Sequence, residues 1–337
     1  MPEENGPILE AILSEIRVIS LELQLLRREL QREALSSALV SSNDALDPNR
    51  SADLTADDAA KTELPGGGVS AAADWLTLQG IGIKNSREQN SADTVFDQLA
   101  DFLGSRFSNL ARVHSDIRRT LTSGSSFTLN LSSSRQDEIA DVTQFCSMLS
   151  TYAFLTFYKY NKHTKTVHAA PQRDGKVINF FTGGWFERYV YQQIITHFAQ
   201  REVEFTCLTN PQITFPNGDD FELDLFFSVN RQPLWVECKT GDYAAYVTKY
   251  AETRNVLSVP KASSILIVLG ISDEVSANLS QIYDITVASE NTFLQLIDVA
   301  IELSAKQSAV QNAYVMPIPV VSPEPVGAPD ALSILLN

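Results

Sequence analysis

Two carboxylates and an ammonium group are spaced so that one hairpin would bring them together. In FELDLFFSVNRQPLWVECKTG, residues 221–241, apolar Leu223, Leu225 and Phe227 alternate along a strand, Asn230 and Arg231 make a polar turn, and Leu234–Lys239 returns. A two-residue loop at Asn230 and Arg231 sets Asp224 directly opposite Glu237, and a three-residue loop moves the partner by one position. Glu237 and Lys239 share one face of the returning strand, while Val236 and Cys238 take the other. Like charges facing each other across a strand pair repel, and burying them costs desolvation, so the arrangement calls for a cation. Mg²⁺ or Mn²⁺ takes hard oxygen ligands. Asp224, Glu237 and the backbone carbonyl of Cys238 could fill one side of its coordination sphere, leaving water and a phosphate oxygen for the rest. With Lys239 to orient that water or phosphate, the chemistry is metal-dependent phosphodiester hydrolysis.

An Asp on one strand followed by Glu-Cys-Lys on the next resembles the PD-(D/E)xK phosphodiesterase superfamily. That family also has a helix before the hairpin with a Glu in the same site, and FTGGWFERYVYQQI from Phe181 supplies Glu187. The combination GGWFERYVY, ELDLFF and LWVECKTG is similar to the nuclease domain, with its winged helix, of CRISPR ancillary nucleases linked to a cyclic-oligonucleotide sensor. The resemblance spans roughly residues 135–305. It implies a restriction-endonuclease-like mixed α/β sheet flanked by helices, and a catalytic set of Glu187, Asp224, Glu237 and Lys239. Metal would be held by Asp224, Glu237 and the Cys238 carbonyl, with assistance from Glu187. Nothing before Ala92 looks like the sensor, so activation by a cyclic nucleotide is not implied.

Composition narrows the function classes. The chain has 337 residues, 44% of them hydrophobic, enough for one substantial core or two modest ones. No apolar run is long enough to span a bilayer and the N-terminus starts acidic, so a soluble, cytoplasmic protein without membrane partners is expected. Its three cysteines are widely spaced, which implies no zinc or disulfide framework. A net charge of −15 argues against general nucleic-acid binding, but the distribution is uneven. Residues 101–180 carry 10 basic and 6 acidic groups, a net +4, and three of the four histidines.

In chain order, Leu9, Ile12, Ile16, Ile19, Leu23, Leu26 and Leu30 recur at alternating gaps of three and four, the seam of a coiled-coil helix over 1–35 that would make a homo-oligomer through residues 9–30. Residues 36–73 read as a disordered linker. Residues 74–176 suggest a helical, winged-helix-like module: one helical region from Phe96 to Leu121, a strand from Phe127, a helix capped by Ser134 and a two-stranded ribbon. Its Lys159, Lys162 and Lys165 are candidate substrate contacts, as is Lys249 further on. The core domain is expected over 177–305, opening with a strand at Val177–Phe181 and a helix carrying Glu187. A helix from Tyr243, the buried strand SILIVLG, and a helix, strand and helix complete it. A Pro-rich tail, 306–337, ends in an apolar ALSILLN that could meet a protein partner.

The leading expectation is therefore a Mg²⁺- or Mn²⁺-dependent endonuclease acting on DNA, or alternatively RNA, with a role in defence against foreign nucleic acid implied by the resemblance alone. The alternatives are an oligomeric assembly or nucleic-acid-binding protein on a nuclease fold, and a nuclease subunit of a restriction or repair complex.

Overall fold

The computed structural model describes residues 70–85 and 93–314. The expected coiled coil, most of the expected linker and the tail beyond 314 lie outside them. Helix α1 (Ser70–Leu78) begins within the expected linker, and its Ala72 is buried, with a backbone N–H that donates to Thr206 Oγ1 at 3.0 Å. Strand β1 (Gly82–Asn85) follows.

The expected single helix over 96–121 is two, α2 (Asp93–Ser105) and α3 (Phe107–Ser123). Gly124 ends α3 in the left-handed region at φ 71, its N–H returning to the Thr120 carbonyl at 2.8 Å. Then come β2 (Phe127–Asn130), α4 (Gln136–Thr151), β3 (Leu155–Asn161) and β4 (Thr166–Pro171). Arg135, not Ser134, occupies the N-cap of α4, and Asp137 and Glu138 complement the first turn. These strands form a three-stranded sheet in the order β2-β4-β3.

Where a strand was expected at Val177–Phe181, the chain makes α5 (Gly175–Asn179) and a π-helical turn over Phe180–Gly184. The reason is local. Asp174 caps the helix by accepting the Lys176 N–H at 2.8 Å, and the buried residues Val177, Phe180 and Phe181 recur at helical rather than strand spacing. A kink at Gly183 leads into α6 (Trp185–Gln200).

The central sheet runs β11-β10-β9-β8-β5, built from β5 (Phe205–Thr209), β8 (Leu225–Val229), β9 (Gln232–Lys239), β10 (Ser264–Val268) and β11 (Thr286–Ser289). It is mixed: β9, β10 and β11 are parallel, whereas β8 is antiparallel to β9 and β5. Two short strands, β6 (Gln212–Thr214) and β7 (Asp220–Glu222), pair with β1 in a separate sheet of order β1-β6-β7. Helices α7 (Ala244–Leu257), α8 (Asp273–Ile282) and α9 (Phe293–Tyr314) complete the chain, so the expected Pro-rich tail is helical through 314.

Strand alternation sends side chains into two cores. Phe227, Leu234, Val236 and Ile267 enter one that includes α2, α3, α4, α6 and α9, while Phe226, Trp235, Leu266 and Val287 enter another with α1 and α7. The first core runs without a break from Leu99 to Ala300, so the expected 74–176 and 177–305 segments share one hydrophobic interior. Among the described residues, no helix is long and apolar enough to cross a membrane.

Candidate functional site

Asn230 and Arg231 both take positive φ, 49 and 66, making the two-residue turn whose twist suits a hairpin. Val229 pairs with Gln232 and Leu225 with Val236, so the next step along the ladder brings Asp224 to Glu237. The strand does not continue through Asp224. β7 ends at Glu222 in one sheet and β8 begins at Leu225 in another, and Asp224 occupies the crossing between them.

That break lets a side chain replace a backbone. The Asp224 carboxylate accepts the Cys238 N–H at 2.8 Å, where the neighbouring strand would otherwise supply a carbonyl. In return, the Asp224 N–H donates to Glu237 Oε1 at 3.0 Å, and the Trp235 indole N–H donates to the same oxygen at 3.0 Å. Glu237 is 2% exposed and Asp224 8% exposed. Lys239 Nζ lies 3.5 Å from Asp224 Oδ2 and 3.6 Å from Glu237 Oε2. The Lys239 carbonyl accepts the Leu269 N–H at 2.9 Å, on the β10 side of β9. Because N–H and C=O of one residue leave the same strand edge, the Cys238 carbonyl faces the opposite side, with Asp224.

Glu187 stands in the first turn of α6, and its Oε2 accepts from Asn210 Nδ2 at 3.0 Å. Asn210 was not singled out by the sequence. It ends β5 in a left-handed conformation, φ 48, and its own N–H donates to the Asp224 carbonyl at 2.9 Å, so one residue ties Glu187 to Asp224. Tyr250, another unanticipated neighbour, is buried on α7 with its ring 5.3 Å from Lys239 Nζ. An Asn-Pro pair after an apolar strand signals a turn, but no spacing in the sequence joins it to residue 187.

The electrostatics register an excess of negative charge. Burial, then repulsion from Asp224, pushes the Glu237 carboxyl up to about 8 and the Glu187 carboxyl up to about 7. Burial pulls the Lys239 ammonium down, but Asp224 and Glu237 outweigh it and hold the group well above its ordinary value. The donors are hard oxygens, as Mg²⁺ or Mn²⁺ requires, and a site of two carboxylates plus water is the usual way Mg²⁺ is held. Among the described residues, no group of three or more Asp, Glu, His or Cys is assembled as a ready-made metal cluster. Asp224, Glu237 and the Cys238 carbonyl are the groups that could hold a cation, and Asn210 links Glu187 to Asp224.

Lys249 is exposed on α7 with its ammonium 5.0 Å from the Phe221 ring, and it is Tyr250 that faces the carboxylates. Lys159, Lys162 and Lys165 lie on the β3–β4 ribbon and its turn, on a different sheet.

Two solved structures resemble the chain over part of its length. The chain is similar to protein VC1899 from Vibrio cholerae, with 16% identity and a TM-score of 0.44 over 69% of this chain and 60% of that one. It is also similar to Can2 from Sulfobacillus thermosulfidooxidans, solved in complex with cyclic tetra-adenylate, with 13% identity and a TM-score of 0.46 over 68% of this chain and 58% of that one. The chain spans 60% and 58% of the lengths of these structures, and a likeness this partial assigns neither family nor activity. No protein-family model matches the chain, and no curated protein sequence matches it.

Proposed function

We propose that the chain is a metal-dependent phosphodiesterase of the PD-(D/E)xK type, cutting DNA or alternatively RNA. The observation that supports this reading is the convergence of Asp224, Glu237 and Lys239, two buried carboxylates within 3.5 and 3.6 Å of one ammonium at the end of a hairpin. A purely structural ion pair would be served by one carboxylate. A second one adds repulsion, which a cation would relieve, although each carboxylate also accepts a backbone N–H at the strand junction.

In this reading Asp224, Glu237 and the Cys238 carbonyl hold Mg²⁺ or Mn²⁺. A cation bound there supplies a coordinated water of lowered pKa and neutralises charge on the phosphate. Lys239 donates to the attacking water or to a phosphate oxygen, its charge maintained by the same two carboxylates. Glu187, held by Asn210, accepts a hydrogen bond from water at the site.

The test is cleavage of nucleic acid in Mg²⁺ by wild type, Asp224→Asn and Lys239→Ala. Loss of cutting in both variants is expected, and rates equal to wild type in either would overturn the assignment.

A further inference from the structure

The three-stranded sheet β2-β4-β3 has a buried face and an open one. Phe127 and Leu129 on β2, with Val167 and Ala169 on β4, point into the core. Thr128 pairs with His168 and His168 with Lys159, so these three form one outward row across the strands, tied by a 2.9 Å contact between Thr128 Oγ1 and His168 Nδ1. The adjacent row is Asn130, Thr166 and Asn161.

Phe157 breaks the pattern of an apolar residue facing inward. Leu155 is buried, and simple alternation would bury Phe157 beside it. Instead Leu155 pairs with Pro171 and Phe157 with the very next residue, Ala170, so Thr156 is an extra residue in β3. This bulge reverses the strand's parity. Phe157 consequently stands 50% exposed on the outer face, two residues from Lys159.

The strands that carry that ring also have an unusual charge balance. In a chain with 41 acidic and 26 basic residues, neither Ile117–Gln136 nor Val142–Arg173 contains a single Asp or Glu. All three strands lie within these stretches, and the second supplies Lys159, Lys162, Lys165, His163 and His168.

We infer that this face binds single-stranded nucleic acid, with a base stacked on Phe157 and the backbone phosphates drawn to Lys159 and the lysines of the β3–β4 turn. An exposed aromatic on an acid-free, basic sheet suits an unpaired strand, because every base offers a π-face and the flanking cations follow the phosphates. A duplex keeps its bases stacked internally and cannot use the ring. The inference rests on the hydrolytic reading only in that this surface would present the strand to be cut. Binding is measured without cutting.

The experiment titrates the full-length protein, in EDTA, into fluorescein-labelled oligo(dT), oligo(U) and a duplex of equal length, read by anisotropy. Single strands should bind more tightly than duplex, and the ratio of oligo(dT) to oligo(U) affinity identifies the preferred sugar. Phe157→Ser should weaken single-strand binding roughly 5- to 150-fold, the range for losing one stacked base. Lys159→Glu should weaken it and flatten its salt dependence. Ile282→Ser, which removes an exposed apolar side chain from α8, should leave it unchanged. Because Phe157 is half exposed, its Ser variant should melt with wild type, and this is checked alongside. No binding by wild type, a preference for duplex, or an affinity of Phe157→Ser within about twofold of wild type would overturn the inference. Phe157-dependent binding without cutting in Mg²⁺ upholds the surface and sinks the hydrolytic reading. Cutting with binding indifferent to Phe157 does the reverse.

Discussion

The Asp224 N–H donates to the Glu237 carboxylate at 3.0 Å, so one acidic residue anchors the other through its backbone. The Asp224 carboxylate in turn takes the N–H of Cys238, at 2.8 Å. The two carboxylates therefore hold the strand junction as well as facing Lys239. Asp224→Asn and Asp224→Ala remove the same charge, but only Ala leaves the Cys238 N–H buried without an acceptor. Ala should be less stable than Asn by about 1–3 kcal/mol in urea unfolding, and equal midpoints would show that the hydrogen bond contributes nothing.

Asn210 links Glu187 to Asp224 from a left-handed backbone. Asn210→Gly keeps that conformation accessible and removes only the amide. Cleavage should fall about 10- to 100-fold, the usual effect of losing the partner of a metal-site residue, with little change in melting temperature. A cleavage rate equal to wild type would mean that Glu187 needs no positioning.

Metal-free protein should lose stability as pH rises. Glu237 at about 8 and Glu187 at about 7 both lie above the ordinary 4.5, so the folded state binds more protons than the unfolded one between these values. Their contribution is whole below the ordinary value and is lost as pH climbs through 7 to 8. Added Mg²⁺ or Mn²⁺ should raise the melting temperature more at about pH 8.5 than at about pH 6, since the ligands must be deprotonated to bind. Equal shifts at both values would argue against a carboxylate metal site.

His114 acts in the opposite direction. It is 4% exposed, packed against Phe107, Phe181 and Trp185, and its Nε2–H donates to the Phe181 carbonyl at 3.2 Å. Burial, then the charge of Arg118, lowers it from 6.5 to about 4. Between those values the unfolded chain binds the extra proton, so this contribution is present above 6.5 and lost as pH falls toward 4. The stability advantage of wild type over His114→Gln should shrink by about 3 kcal/mol from neutral pH to about pH 4, and a pH-independent difference would refute the buried neutral imidazole.

The hairpin was legible because its determinants are local: an Asn-Arg turn between two apolar runs sets the register, and the register sets Asp224 against Glu237. The helix bearing Glu187 and the buried strand SILIVLG were equally plain, one from its flanking glycines and one from its unbroken apolar run. What escaped the sequence was long-range. The partnership of Asn210 with Glu187 and the proximity of Tyr250 to Lys239 arise only when α6, β5, β9 and α7 are packed. The helical segment over 175–184 reads as a strand because a short apolar run looks alike in both, and the local cue for the helix is its capping Asp174. The bulge at Thr156 depends on pairing with β4, which no alternation within β3 reveals.

The central claim is tested most directly by incubating the full-length protein with single-stranded DNA, duplex DNA and RNA in Mg²⁺, Mn²⁺ or EDTA, beside Glu237→Ala. The account predicts cleavage of at least one substrate in Mg²⁺ or Mn²⁺, none in EDTA, and none by Glu237→Ala. Cutting that persists in EDTA or in the folded variant would contradict it.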